Sequence, residues 1–372
     1  MILGMAAFAR RVGCLLPFAP VVIAAACIGR APLPDGAESP ALTCRDVQSA
    51  DDPDPVAVTW IVRPDPDERR SLDAWCRGVG PAVYLRADAK QGSAPHGTTA
   101  LVSWNVNAGA GDLAALVRDL RAGRLSDGQP VGHFVLLLQE ALRIDSRVPA
   151  PGADREGARR LVRSAQPVDV VAFARAAGLS LFYLPSMRNG FGAEDGREDR
   201  GNAIVSTLPL TELRALELPF VRQRRVVPVA LLGRGDRGGE ITVASVHLDP
   251  FVGGDRLWLL GAVASRGRQA RVVADALPPF GPLVIGGDFN TWRGAGEPAV
   301  AEMRRISDPA PWPVEPTFVN GRVLDHLFFR LPAPLRGTYR RAPQTYGSDH
   351  FPLVGVVVDR SPLTVDRLPS DR

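Results

Sequence analysis

The stretch Leu283-Val284-Ile285-Gly286-Gly287-Asp288-Phe289-Asn290 carries an apolar run through two glycines into a carboxylate and a carboxamide. It reads as a buried strand that stops at Gly286 and Gly287, where the missing side chains let the backbone turn sharply or a ligand come close. Asp288 and Asn290 stand at i and i+2, so in extended backbone they point the same way. Such a pair can take a proton, hold a metal ion, or orient a water or a phosphoryl oxygen. A strand end closed by an Asx-turn explains the same residues without chemistry.

The pattern recurs along the chain. Asn105 follows Leu101-Val102-Ser103-Trp104, Glu140 follows Val135-Leu136-Leu137-Leu138-Gln139, and His247 closes Val243-Ala244-Ser245-Val246. Asp325 lies within Val323-Leu324-Asp325-His326-Leu327, and Asp349-His350 immediately precedes Phe351-Pro352-Leu353. Polar groups at the ends of buried strands are costly unless they bind something or each other, and strand ends are where α/β proteins hold ligands.

The ordered series Ser103-Trp104-Asn105-Val106-Asn107, Leu138-Gln139-Glu140, Arg200-Gly201-Asn202-Ala203-Ile204, Ser245-Val246-His247, Gly287-Asp288-Phe289-Asn290, Leu324-Asp325-His326 and Ser348-Asp349-His350-Phe351-Pro352 resembles the endonuclease/exonuclease/phosphatase superfamily. The resemblance covers about Thr98 to Asp359 and implies a four-layered α/β (α+β) sandwich, two packed mixed β-sheets flanked by helices, with the site at one end of the sheets. It also implies roles. Glu140 would be the principal metal ligand, with Asn105 and Asp349 nearby. Few hard oxygen ligands with room for water suit Mg²⁺ or Mn²⁺. Asp288 would orient or deprotonate the attacking water, and Asn290 would hydrogen-bond the phosphate. His350, held by Asp325, would donate to a non-bridging oxygen. His247 and Asn202 would contact the phosphate, with Arg200 as helper. Asn107, a candidate substrate contact, stands where the family often carries Asp, so that place offers no second metal-binding carboxylate. His96, His133 and His326 read as structural.

The elements that must position these groups alternate along the chain. Strands are expected over Thr99 to Val106, Phe134 to Gln139, Leu181 to Leu184, Ala203 to Ser206, Val226 to Leu232, Ile241 to Val246, Val323 to Phe329 and Leu353 to Val358. Leu113, Leu116, Val117 and Leu120 fall at i, i+3, i+4 and i+7, one apolar face of a helix. Val168 to Gly178 and Arg256 to Leu277 read as helices closed by glycine and by Pro278-Pro279. Helices mixed with runs of consecutive strands suggest two packed sheets rather than a singly wound one. Arg188 to Arg200 reads as a glycine-rich surface loop. Ahead of Thr98, Val56 to Val62 reads as a strand and Pro66 to Val79 as a short helix, between linker-like stretches.

The 372 residues suit one large domain with an appendage, and the formal charge of +4 is too slight to argue for nucleic acid by itself. Lys90 is the only lysine; arginine forks suit phosphate, though a GC-rich genome explains the excess equally. Arg10-Arg11, the apolar Val12 to Ala26 and the small residues before Cys27 have the layout of a secretory signal peptide. The small-small-Cys ending also resembles a lipobox, with Ala24 where leucine is usual, so Cys27 is a candidate for lipidation and membrane attachment; a buried N-terminal helix is the alternative. Cys14 and Cys27 lie in that leader, leaving Cys44 and Cys76 as a candidate disulfide or as two buried thiols.

The expected organisation is a leader over 1–27, an extension and linker over 28–97, the main domain over 98–360 and a tail over 361–372. The expected activity is an exported, Mg²⁺-dependent phosphodiesterase, nuclease-like, acting by in-line attack of water as a monomer. A lipid-headgroup (sphingomyelinase-like) phosphodiesterase or a phosphatase is the alternative enzyme, and a binding module that keeps only the fold is the non-enzymatic one. A nuclease wants a basic groove, for which Arg222, Arg224, Arg225, Arg266, Arg268 and Arg271 are candidates. A headgroup esterase wants exposed apolar loops, hinted at by Phe251 and Val252.

Overall fold

The computed structural model describes residues 43–49, 56–62, 65–87, 99–150, 158–159, 166–190, 196–233, 239–250, 256–309, 315–333 and 335–359. The leader with Cys14 and Cys27, His96, Phe251, Val252 and the C-terminal tail lie outside them. In chain order the strands are β1 (Val47–Ser49), β2 (Thr59–Val62), β3 (Ala82–Leu85), β4 (Thr99–Asn105), β5 (His133–Ile144), β6 (Ala158–Arg159), β7 (Ser180–Asn189), β8 (Glu198–Ser206), β9 (Leu210–Glu217), β10 (Val226–Gly233), β11 (Glu240–His247), β12 (Leu283–Asp288), β13 (Asp325–Arg330), β14 (Leu335–Arg341) and β15 (Leu353–Asp359). The helices are α1 (Pro66–Arg77), α2 (Leu113–Arg121), α3 (Val170–Ala176), α4 (Arg256–Ala276) and α5 (Pro298–Ile306).

Two mixed sheets result. One is nine-stranded in the order β1-β3-β7-β8-β5-β4-β15-β14, with β6 beside β7; the other is six-stranded in the order β13-β12-β11-β10-β9-β2. Side chains alternate across each strand, and that alternation builds the layers. In β5, Phe134, Leu136 and Leu138 pack against α2 and α3 while Val135 and Leu137 face the second sheet. In β12, Leu283 and Ile285 pack against α4 and α5 while Val284 faces the first sheet. The layers are therefore helix, sheet, sheet, helix, as the family resemblance implies.

Local capping agrees with the packing. Asp112 accepts from Ala115 N at 2.9 Å to start α2, whose buried Leu113, Leu116, Val117 and Leu120 are the stripe read from the sequence. Asp169 caps α3 through Ala172 N at 2.8 Å and also accepts Ile144 N, pinning the end of β5 to that helix.

The glycines of the central strand act differently from the sequence reading. Neither has positive φ, and β12 continues through both to Asp288. A Cβ on Gly286 would lie 2.8 Å from Leu137 Cδ1 and 2.8 Å from Ser103 Cβ, so this glycine lets the two sheets close on one another. Gly286→Ala is expected to overpack that seam and destabilise the protein by about 1–3 kcal/mol; a urea midpoint equal to wild type would refute this reading.

Three further expectations change. The described part of the expected extension and linker 28–97 is more than a linker, because β1 and β3 extend the first sheet and β2 the second. It is tied down by the Cys44–Cys76 disulfide, by Arg45 on Glu217 at 2.7 Å, and by Gly80 N on Asp199 at 2.9 Å. The two ends of the expected loop Arg188 to Arg200 lie in strands, with Arg188 paired to Asp199 across β7 and β8. Finally, β9, β14 and α5 carry no clear sequence signal: Leu-Thr-Glu-Leu-Arg-Ala-Leu-Glu is rich in helix formers but becomes a strand between β10 and β2.

Candidate active site

The parity that builds the layers also gathers the polar residues. Asn105 shares the inter-sheet face of β4 with Leu101, His247 that of β11 with Val243, Asp288 that of β12 with Val284, and Asp325 that of β13 with Leu327 and Phe329. Pairing brings them to one end, since His247 lies opposite Asp288 in register and Asp288 opposite Asp325. Asn105 ends β4, the neighbour of β15, and His350 enters three residues before β15 begins.

Asp288 is the meeting point. Its Oδ2 accepts Asn105 Nδ2 at 3.0 Å and its Oδ1 accepts Asn290 N at 2.9 Å. His247 Nε2 lies 3.5 Å and His350 Nε2 3.9 Å from Oδ2. Burial and the charge of Asp325 push its carboxyl up to about 7, against His350 and both hydrogen-bond donors. A carboxyl with that pKa can exchange a proton near neutrality.

The two imidazoles beside it carry opposite protonation. Burial works against a charge on His350, but Asp325, Asp288 and Asp349 outweigh it and raise its pKa to about 10. Its Nδ1 meets Asp325 Oδ2 at 2.8 Å, so the ring is oriented as well as charged. Burial, Arg225 and His350 hold His247 well below the usual histidine range. Arg225 Nη1 lies 3.0 Å from His247 Nδ1, and a guanidinium can only donate, so Nδ1 is the acceptor and Nε2 carries the hydrogen toward Asp288. One donor is cationic and one neutral on either side of a base.

Glu140 reaches the site by a distortion. Its parity in β5 matches Leu138, which faces the helices, but the ladder to β8 slips between Leu138 and Ala141 and Glu140 adopts φ +50°. The bulge re-aims its side chain, a device that clusters at functional sites. Glu140 Oε2 lies 3.4 Å from Arg200 Nη1, and its charge helps raise the carboxyl of Asp349, although burial is the larger cause. Two neighbouring carboxylates that repel one another fit a hard divalent cation, and Asn105, at the end of the strand paired with β5, offers an amide oxygen. Asn105 Oδ1 already accepts Asn107 N at 3.0 Å and keeps one lone pair. Asp288, Asp325 and His350 also bring one donor atom each within 4.8 Å of the others. Within that trio His350 spends Nδ1 on Asp325 at 2.8 Å.

Several expected contacts are redrawn. Asn290 has φ +51°, so it does not continue the extended strand beside Asp288; it folds back in an Asx-turn and gives Nδ2 to Leu248 O at 3.0 Å. Asn202 spends both amide hydrogens on Val226 O and Ser245 O, each at 3.1 Å, so it braces the two sheets and does not offer a donor to phosphate. His326 is buried between Phe289 and Phe328 with Nε2 2.8 Å from Thr291 Oγ1, a packing residue as read. Among the arginines offered for a basic groove, Arg224 is buried on Glu217 at 2.5 Å, Arg225 on Asp249 at 3.4 Å and Arg266 on Glu297 at 2.8 Å, while Arg271 pairs with Glu302 at 2.8 Å.

Other contributors were not singled out in the sequence. Ser348 Oγ donates to Asn105 O at 2.7 Å and accepts His350 N at 3.1 Å, joining β4 to the His350 turn. Thr317 Oγ1 accepts Leu324 N and Asp325 N, and the Phe318 ring lies 4.7 Å from that of His350. Ser348 sits two residues before a catalytic candidate and was visible in principle. Thr317 and Phe318 join the site only through tertiary pairing.

A family model described as Endonuclease/Exonuclease/phosphatase family matches residues 102–350. A UPF0294 protein of Vibrio cholerae is 30% identical over 127 residues, which span 32% of this chain and 40% of that relative. Among solved structures, an endonuclease/exonuclease/phosphatase from Beutenbergia cavernae aligns over 70% of this chain and 72% of its own at 17% identity and TM-score 0.49. Sphingomyelinase C from Streptomyces griseocarneus aligns over 70% of this chain and 99% of its own at 16% identity and TM-score 0.40.

Proposed function

The chain belongs to the endonuclease/exonuclease/phosphatase family of metal-dependent phosphoric-ester hydrolases, and from this we propose that it hydrolyses phosphodiesters by in-line attack of water on phosphorus, with Mg²⁺ or Mn²⁺ as its cation. The observation that carries the reading is Asp288, a buried carboxyl raised to about 7 and held between a charged and a neutral imidazole. Asp288 aims the water and takes its proton. His350, kept cationic by Asp325, donates from Nε2 to a non-bridging oxygen as charge grows there, and the Nε2 hydrogen of His247 is a second, uncharged donor. Glu140, Asp349 and Asn105 would hold the cation, which would offset the charge of the phosphoryl group. Arg200, which faces Glu140, and Asn107, whose N bonds Asn105, would contact the substrate.

Nucleic acid remains the first substrate reading, although most of its expected basic groove is spent on internal ion pairs. What supports it is an exposed cationic rim, Arg293 and Arg322, beside Trp292 just past Asn290. Export is supported by the leader-like N-terminus together with the Cys44–Cys76 bridge, which suits an oxidising compartment.

The direct test is release of p-nitrophenol from bis(p-nitrophenyl) phosphate. Turnover is expected with Mg²⁺ or Mn²⁺, to vanish in EDTA, and to return on re-adding metal. Turnover indifferent to EDTA would sink the metal assignment. A folded protein inert with every metal, on this diester, plasmid DNA and sphingomyelin alike, would favour the non-catalytic module.

A further inference from the structure

The rim beside Asn290 holds an arginine that the site described above does not use. Arg322 closes the short turn from Thr317, pairing with Phe318, and Phe318 pairs on its other side with His350. Three backbones thus run side by side, which puts the backbone of Arg322 roughly 10 Å, two strand spacings, from that of His350. Its guanidinium lies 4.5 Å over the Trp292 ring, and its Nη1 donates to Trp292 O at 3.3 Å. Trp292 follows Asn290 by two residues and is held by its own N on Asn290 O at 2.9 Å. The ring is half-buried and the arginine exposed.

Most arginines around the site are neutralised. Arg224, Arg225 and Arg266 are buried on carboxylates, and Arg200 faces Glu140. Among the described residues Arg322 has no carboxylate partner. A flexible exposed arginine would lose rotamer freedom on binding, whereas one stacked on an indole and tied to its carbonyl is already placed. Its remaining N–H groups form a fork suited to the oxygens of a phosphate.

We propose that Arg322, carried on Trp292, is a second anion subsite that binds a phosphate neighbouring the one being cleaved. This rests on the phosphodiesterase reading and narrows it: the preferred substrate carries a second phosphate that reaches Arg322 while the first lies at His350. Successive phosphates of a nucleic acid strand and a phosphorylated inositol headgroup both have that chemistry.

The test compares binding of two ligand pairs by calorimetry in Mg²⁺: thymidine 5′-monophosphate against thymidine 3′,5′-bisphosphate, and inositol 1-phosphate against inositol 1,4-bisphosphate. For wild type, at least one bisphosphate is expected to bind about ten-fold more tightly than its monophosphate. In Arg322→Gln that gain should shrink to two-fold or less, in Trp292→Leu it should fall part of the way, and in Arg336→Gln, an exposed arginine on β14, it should persist. The pair that shows the gain tells polynucleotide from lipid headgroup. No gain in either pair, a gain that survives Arg322→Gln, or no binding of any of the four overturns the subsite. Turnover of thymidine 5′-monophosphate p-nitrophenyl ester, which has one phosphate, is measured in parallel. Its absence counts against the phosphodiesterase reading, while the bisphosphate gain is judged separately.

Discussion

Asp288→Asn is expected to lower turnover by about 10²–10⁴-fold while making the protein harder to melt. The loss follows from the role of base, since a carboxamide cannot take a proton; its single oxygen keeps one of the two contacts, to Asn105 Nδ2 or to Asn290 N, and its NH2 group cannot accept the other. The stabilisation follows from linkage. The folded carboxyl has a pKa of about 7, above its unfolded value, because burial and Asp325 disfavour its charge. An acid raised by folding costs stability once pH exceeds the unfolded pKa, and the cost is full above the folded one. At pH 8 without divalent metal the cost is bounded by about 4 kcal/mol, and Asn removes it. A melting temperature several degrees higher at pH 8, with the difference closing toward pH 4, is the expected result. A mutant that melts lower at pH 8 would mean that Asp288 is a structural anion.

Asp325→Asn is expected to cost about 10²–10³-fold in kcat without touching substrate. Asp325 is the strongest influence holding His350 in its cationic form and is its Nδ1 partner at 2.8 Å. Without the carboxylate, the pKa of His350 should fall from about 10 toward the ordinary histidine value, so that the alkaline limb of the pH–rate profile moves down by several units. Asp325 also raises Asp288, so the acid limb should move down too. Both limbs moving together separates this role from simple loss of structure, which would lower the rate at every pH alike. Combined with His350→Ala, the losses should fall well short of additive. Unchanged limbs would refute the assignment.

The sequence disclosed the residues whose position follows from strand parity alone. Asn105, His247, Asp288 and Asp325 end alternating runs, and once the runs are strands the alternation puts all of them between the sheets. What it hid depends on distances that parity does not encode. Glu140 was identified through family resemblance, although its own alternation points it at the helices; only the bulge and its left-handed backbone bring it round. Arg225 looked like surface charge for nucleic acid and is instead the buried donor that sets the tautomer of His247. Asn202 was read as a phosphate contact, but its amide spans Ser245 O and Val226 O on neighbouring strands of the other sheet, a geometry fixed by how the sheets dock. The fold class survived these misreadings because it depends on periodicity summed over many residues.

The seam closed by Gly286 runs directly under the site, with Asn105, Glu140, Asp349 and His350 contributed by one sheet's strands and turns and His247, Asp288 and Asp325 by the other's. Neither half possesses a base, an oriented acid and a place for a cation together. The molecule therefore resembles a lock whose tumblers sit in two plates: it turns only when the plates lie flush. A nascent fragment or a nicked product with one plate loose would be inert, so reactivity arrives only at the last step of assembly.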